Sequence, residues 1–281
     1  MSRDLKPEFG LYVTATPIGN LGDLSHRALA VLSGVDAIIC EDTRVTKKLL
    51  TRFGIGKPLI ACHEHNETRM IPEILGRLEG GETLAMVSDA GTPLISDPGY
   101  NLVRAAQDQG LPVIPIPGAS APITALQASG LATDAFLFAG FLPAKEGKKE
   151  KALEALKSTP ATLIFFESPK RVVKTLGSMV KVFGAGREAV LARELTKIHE
   201  EIIRAPLGQL LETFKARETI KGEIVLLVAR GEEDKSGPSD IDEVLLALLG
   251  TQSVADASTM LSKLTGLPRK EIYSRALELK K

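Results

Sequence analysis

The sequence predicts two α/β domains, a mostly parallel sheet followed by a mixed one, with a small helical tail behind them. Three observations carry that prediction. The chain has 281 residues, more than one domain commonly holds. Its first 118 residues repeat one grammar: a short β-branched run, a Gly/Pro loop, then a stretch of helical periodicity. After residue 118 the strand candidates crowd together, and after residue 240 there are none.

In the first part, strands are predicted at Leu11–Thr16, Asp36–Cys40, Leu59–Cys62, Thr83–Ser88 and Val113–Pro117. Amphipathic helices are predicted at Ser25–Leu32, Thr43–Phe53, Arg69–Glu79 and Gly99–Gln109. Strands alternating with helices require crossover connections, hence a parallel, doubly wound sheet. Ligands of such sheets bind beyond the carboxyl ends of the strands, where the Gly/Pro loops fall. The turn at residues 116–120 reads as a domain boundary, giving domains at 1–118 and 119–231. The second holds strand candidates Phe136–Phe141, Thr162–Glu167, Ala189–Glu194, Glu200–Arg204 and Glu223–Ala229. No helix separates the third from the fourth, and only a short one precedes the fifth, so antiparallel pairs are expected. Residues 232–240 read as a linker and 240–281 as the helical tail.

Composition excludes more than it assigns. Hydrophobic and charged fractions of 44% and 25% are those of an ordinary globular protein. Cys40 and Cys62 sit in apolar runs and read as reduced core thiols rather than a disulfide or a metal site. No apolar run approaches membrane-spanning length and the opening residues lack a signal peptide's apolar stretch, so a cytoplasmic protein is expected. Lys+Arg and Asp+Glu both number 35, which argues against a wholly basic surface but leaves room for a local basic groove.

The loop Ser88-Asp89-Ala90-Gly91-Thr92-Pro93 is the most informative segment, and it continues through Asp97-Pro98-Gly99. Proline stiffens it and glycine admits close backbone approach. Asp89 is read as an acceptor for ligand hydroxyl or amino groups. Asp97, followed by Pro98, is read as a helix N-cap. The loop at residues 15–23, with Glu41-Asp42 after the next strand, faintly imitates a dinucleotide site, but it lacks the G-x-G-x-x-G spacing, and Pro17 removes a donor. Pro117-Gly118-Ala119-Ser120-Ala121 resembles a nucleophile elbow only superficially, so Ser120 is read as a helix N-cap. His63-Glu64-His65 lacks the spacing of a zinc motif and reads as a polar loop contributing to a substrate pocket. Glu167-Ser168-Pro169-Lys170-Arg171 and Arg193-Glu194-Leu195-Thr196-Lys197 close two strands taken as neighbours, and together they suggest an anion-binding wall.

These segments, with Glu41-Asp42-Thr43-Arg44, Gly140-Phe141-Leu142-Pro143 and Lys221-Gly222-Glu223, resemble the tetrapyrrole methylase superfamily, and within it the RsmI family of small-subunit RNA methyltransferases. The resemblance runs in order from about residue 11 to residue 230. It implies an S-adenosylmethionine-dependent, homodimeric enzyme that methylates the ribose 2′-hydroxyl of a cytidine in the decoding region of 16S ribosomal RNA, without a metal or a membrane. The cofactor positions it implies are Ile18, Ser88, Asp89, Thr92, Ser120 and Ala121, with Phe166, Glu167 and Leu195 from the second domain. Catalytic candidates are Glu167, Lys170, Arg193 and Glu194: the cations, with Arg171, for RNA phosphate or a developing alkoxide, the acids for positioning the nucleophile. The sequence departs from the family pattern at Lys170, where a histidine is expected, and within residues 148–151, where an arginine is expected. Residues 264–273 are similar to the family's helix-turn-helix-like tail, and from Thr251 onward six Lys/Arg face three Asp/Glu. Competing readings are a precorrin-type tetrapyrrole methyltransferase, a non-catalytic RNA-binding protein and, more distantly, an NAD-dependent dehydrogenase.

Overall fold

A computed structural model describes residues 7–231, 238–265 and 267–280. The chain divides into two compact units between Arg230 and Gly231.

The first unit holds both sheets. β1 (Leu11–Thr14), β2 (Ala37–Cys40), β3 (Leu59–Ala61), β4 (Leu84–Val87) and β5 (Val113–Ile116) form a sheet in the order β3-β2-β4-β1-β5, and every pair is parallel. Period-2 alternation sends side chains to opposite faces, so each face carries its own core. Leu11, Ile39, Leu84 and Met86 pack under α3 (Glu67–Glu79) and α4 (Tyr100–Asp108). Tyr12, Ile38, Ala85 and Val87 pack under α1 (His26–Gly34) and α2 (Thr43–Arg52).

The central strands β1 and β4 send their crossovers opposite ways: α1 crosses one face to reach β2, and α4 crosses the other to reach β5. The loops leaving two neighbouring strands therefore diverge and open a crevice. Backbone hydrogen bonds of 2.9 and 3.1 Å between Thr16 and Gly91 tie those loops together at its base.

The second sheet comprises β6 (Phe136–Phe141), β7 (Thr162–Glu167), β8 (Glu188–Arg193), β9 (Glu201–Pro206) and β10 (Ile224–Val228), ordered β6-β7-β10-β8-β9. β6 and β7 are parallel and the other pairs antiparallel, which is the mixed sheet the sequence predicts. β7 and β8 are not neighbours, however: the last strand, β10, lies between them. One face is covered by α6 (Glu146–Glu154), α7 (Val172–Phe183) and α8 (Leu207–Lys215), the other by α5 (Ala121–Ser129). Ile18, from the loop after β1, is part of the core between the second sheet and α5.

In the second unit α9 (Pro238–Leu249), α10 (Val254–Thr265) and α11 (Arg269–Leu279) pack around Leu245, Ala257, Leu261, Ile272 and Ala276. Residues 232–237 of the expected linker lie outside the described residues, and residues 238–240 open α9. Cys40 and Cys62 are buried and free. Among the described residues no helix is long and apolar enough to cross a membrane.

Candidate active site

The crevice is closed into a cavity by the second sheet. The cavity measures about 340 Å³, within the range of small-molecule sites, about 300–1,000 Å³. Its apolar wall comprises Ile18, Ala121, Phe141, Phe166 and Leu195. Its carboxylates are Asp97, Glu167 and Glu223. Phe141 and Phe166 lie 5.4 Å apart between ring centroids, at 55°.

Backbone strain concentrates on two loops of this site. Among the described residues, the non-glycine residues with left-handed φ are Leu94 (72°), Ser96 (66°), Glu194 (51°) and Thr196 (65°), in the loops after β4 and β8. Such conformations persist where the surroundings over-determine them. Here the surroundings are specific. The Ser88 hydroxyl donates to Gly91 O (3.0 Å), that of Thr92 to Ala119 O (2.9 Å), and that of Thr16 to Ser88 O (3.1 Å). Across the cavity Asn20 N donates to the Thr196 hydroxyl (3.0 Å). Gly19 admits that approach, because a Cβ there would collide with Lys197 Cγ and lie 2.8 Å from the Thr196 hydroxyl. Gly222, at φ +92°, likewise leaves room for the Glu194 carboxylate.

Ile18, Ala121, Phe166, Leu195 and Glu167, positions that the family resemblance implied for the cofactor, line the cavity. Ser88 and Thr92 are not part of the lining, and their hydroxyls pin the loop after β4. Ser120 is the residue before α5, but its hydroxyl makes no capping bond. Of the two aspartates, it is the cap reading of Asp97 that the structure corrects. Asp97 does not cap α4: the cap position is Gly99, at φ 119°, so the helix starts two residues past Pro98. The first turn of α4 is held instead by Glu67, which accepts from Leu102 N (3.2 Å) and Asn101 Nδ2 (3.0 Å). That frees Asp97 to line the cavity. Asp89 accepts from Asp42 N (3.2 Å) and faces an adjoining polar cleft of about 480 Å³ with Glu41, Arg44, His63 and His65.

The charge of this edge is acidic and unevenly held. Burial, then the nearby Glu41, raises Asp97 to about 6. Burial also raises Glu41 and Asp89. Asp42 is lowered to about 2 by the Arg44 guanidinium, 2.6 Å away. Among the described residues no group of His, Cys, Asp and Glu is arranged to hold a metal ion.

Of the catalytic candidates, Glu167 faces the cavity with its side chain only 1% exposed. It accepts from Ser168 N (2.7 Å) and Thr175 Oγ1 (2.5 Å). Lys170 follows the lining residue Pro169 and is exposed, with no hydrogen bond or ion pair among the described residues. Arg193 and Glu194 are not part of the lining. Arg193 binds Glu201 (3.0 Å) and the carbonyls of Lys221 and His199, while Glu194 binds Lys197 (2.7 Å) and accepts from Glu223 N (3.0 Å). With β10 between them, the two cationic clusters do not meet as one wall. Sequence reasoning missed Asp97, Phe141 and Glu223 as lining residues. Asp97 was hidden behind its cap-like Asp-Pro pair, and Phe141 within a run of strand aromatics.

Comparison with known proteins follows the same division. The sequence model of the Tetrapyrrole (Corrin/Porphyrin) Methylases matches residues 10–211, and that of the RsmI C-terminal HTH domain matches residues 235–280. The chain is 50% identical to the ribosomal RNA small subunit methyltransferase I of Mesorhizobium japonicum, over 99% of this chain and 94% of that one. It is 46% identical to the protein of the same name from Escherichia coli O157:H7, over 95% and 94%. Among solved structures, the uroporphyrin-III C-methyltransferase of Thermus thermophilus complexed with S-adenyl homocysteine matches with a TM-score of 0.56 at 17% identity, over 81% of this chain and 100% of that one. The methyltransferase CobJ matches at 0.59 and 18%, over 79% and 94%. At such identities the structures speak for the fold alone, and the sequence relatives for the family. The chain belongs to the tetrapyrrole methylase family, and within it to the group of ribosomal RNA small subunit methyltransferase I proteins.

Proposed function

We propose that this protein transfers a methyl group from S-adenosylmethionine to the ribose 2′-hydroxyl of a cytidine in the decoding region of 16S ribosomal RNA. The observation that carries the reading is the near-full-length likeness to methyltransferases of that name, joined to a cavity whose chemistry fits the donor. A sulfonium cation with an adenosine suits aromatic and aliphatic walls edged by carboxylates, and those are the groups present. Ile18, Ala121, Phe166 and Leu195 would hold the apolar part of the donor, and Asp97 would face its polar or cationic part. Ser88, Thr92 and Ser120 would shape the loops around it, with Asp89 on the polar-cleft side. The donor supplies an electrophilic methyl on a neutral leaving group.

What remains for the chain is to present the hydroxyl in line and to receive its proton. Glu167, held at the cavity wall by two hydrogen bonds and by Arg171 at 3.4 Å, would orient it. Lys170, unpaired beside the mouth, is placed to stabilise charge developing on the attacking oxygen. Arg193 and Glu194 act through the loop they brace. We further place domain boundaries at residues 118 and 231–240, and read the protein as a cytoplasmic homodimer.

The test is transfer of labelled methyl to small-subunit RNA or assembled subunits, with the ribose mapped, beside the same assay on a porphyrinogen. Turnover on the porphyrinogen alone would establish a small-molecule methylase on this scaffold. No S-adenosylmethionine binding by calorimetry would leave only an RNA-binding protein.

A further inference from the structure

Lys149 occupies a position that binary patterning reserves for an apolar residue. It lies on α6 one turn before Leu153, and the whole residue is 3% exposed. Its ammonium has no hydrogen bond or ion pair among the described residues, although a buried charge ordinarily finds a partner. The charged groups that reach it electrostatically are Glu167, Arg171, Glu146 and Lys174. Glu167 is the natural acceptor, but it is already committed to Ser168 N, Thr175 Oγ1 and, at 3.4 Å, the Arg171 guanidinium.

Arg171 is better held: its Nη2 donates to Leu142 O (2.5 Å) and Pro143 O (3.4 Å), and its Nε, which makes no hydrogen bond, lies 3.4 Å from Glu167. The spot thus collects three cations, Lys149, Arg171 and Lys174, around Glu167 and Glu146, and the Lys149 ammonium is left without an acceptor among the described residues. The surrounding surface has the same sign: residues 145–181 carry nine Lys/Arg against four Asp/Glu. Lys145, Lys148, Lys151 and Lys174 are exposed and unpaired among the described residues, and Glu150 is taken by Lys181 at 2.7 Å. An anion would give the Lys149 ammonium the acceptor it lacks, with the exposed Lys174 beside it.

We propose that Lys149, Arg171 and Lys174 form a phosphate-binding site that seats one phosphodiester of the RNA strand whose ribose enters the cavity beside Glu167. The proposal rests on the RNA-methyltransferase reading and adds to it the place where the strand is gripped. Burial lowers the Lys149 pKa, and the field of Glu167 acts in the opposite direction. The distance to the cavity is short in sequence and space, since Ser168 and Pro169 line it and Arg171 opens α7.

The experiment measures small-subunit RNA binding across a salt series, and methyl-transfer kinetics, for wild type, Lys149→Met, Lys149→Arg and Lys174→Ala. Lys149→Met is expected to bind RNA about tenfold more weakly, with the salt slope reduced by about 1. Its KM for RNA should rise with kcat held, and Lys149→Arg should restore affinity. Lys174→Ala, on the surface, should repeat the weakening in a milder form. S-adenosylmethionine affinity should not move in any variant. Unchanged RNA affinity and salt slope in both Lys149→Met and Lys174→Ala would overturn the proposal. So would a fall in kcat at constant KM, which would mean that Lys149 acts only through Glu167. If wild type binds RNA but transfers no methyl to it, the functional reading fails, while the binding arm still decides the phosphate site.

Discussion

The edges of the two sheets hold their charge differently. The first sheet ends in Glu41, Asp42, Glu64, Asp89 and Asp97 with Arg44 beside them, whereas at the second Glu167 and Glu194 stand among Lys170, Arg171, Arg193 and Lys197, with exposed lysines on α6 and α7 behind. A net charge of zero for the chain conceals this partition. The lesson is that a molecule with no overall bias can still sort a cationic ligand to one wall of a cleft and a polyanion to the other. Bulk charge reports solubility; the sorting is done within a few residues of the strand ends.

Glu167 is where the two edges meet, so removing its charge should have the largest effect. Glu167→Gln leaves Arg171 without its carboxylate, and breaking a buried pair costs about 3–5 kcal/mol. Urea unfolding should show a loss of that order, and turnover should fall by more than tenfold. Unchanged turnover in folded protein would remove Glu167 from the mechanism.

Gly19→Ala comes next. Its methyl would push the loop after β8 away from the loop after β1, at a cost of about 1–3 kcal/mol. Calorimetry should find S-adenosylmethionine binding weakened by about tenfold or more, with RNA binding nearly intact.

The acid edge should answer to pH. Asp97 sits near 6 in the fold, above its ordinary value of 3.8, so its protonated form favours the folded state. That contribution is complete below about pH 4 and is lost as pH rises through about 6. Asp97→Asn should therefore flatten the melting temperature across that window and raise it at pH 7. Binding of a cationic donor to wild type should release protons near pH 6, seen as a buffer-dependent binding enthalpy. An enthalpy independent of buffer would place the cation away from Asp97.

The smallest effect is expected at Glu194→Gln. Lys197 holds the Glu194 carboxyl below its usual range, but the pair is partly solvated, and about 1 kcal/mol is the expected cost. The change should appear as a higher KM for the donor rather than a lower kcat.

Much of this was readable in the sequence because strands and loops obey local rules. Among the described residues the ten strands fall within two residues of where β-branched runs and Gly/Pro breaks put them, and the doubly wound order follows from the alternation. What was not readable depends on contacts far apart in the chain. Nothing near Gly99 announces that Glu67, more than thirty residues upstream, would hold the first turn of α4 and leave Asp97 to the cavity. Nothing near Arg193 announces that Glu201 would claim it. Lys149 lay in a run of four charged residues that reads as a solvated face, and only the packing of α6 reveals that this one lysine points inward.

The central place of β10 has a consequence for the life of the chain before it is complete. Five register pairs join β10 to β7 and five join it to β8, and no other strand bridges that gap. Synthesis runs from the N-terminus, so the first sheet can form early while β7 and β8 wait with bare edges. Until residue 228 has emerged, Leu195 has no finished sheet behind it and the cavity has only one wall. A polypeptide stalled before Ile224 would therefore be both aggregation-prone and unable to retain the methyl donor, and maturation of the site is tied to nearly complete translation of the first unit.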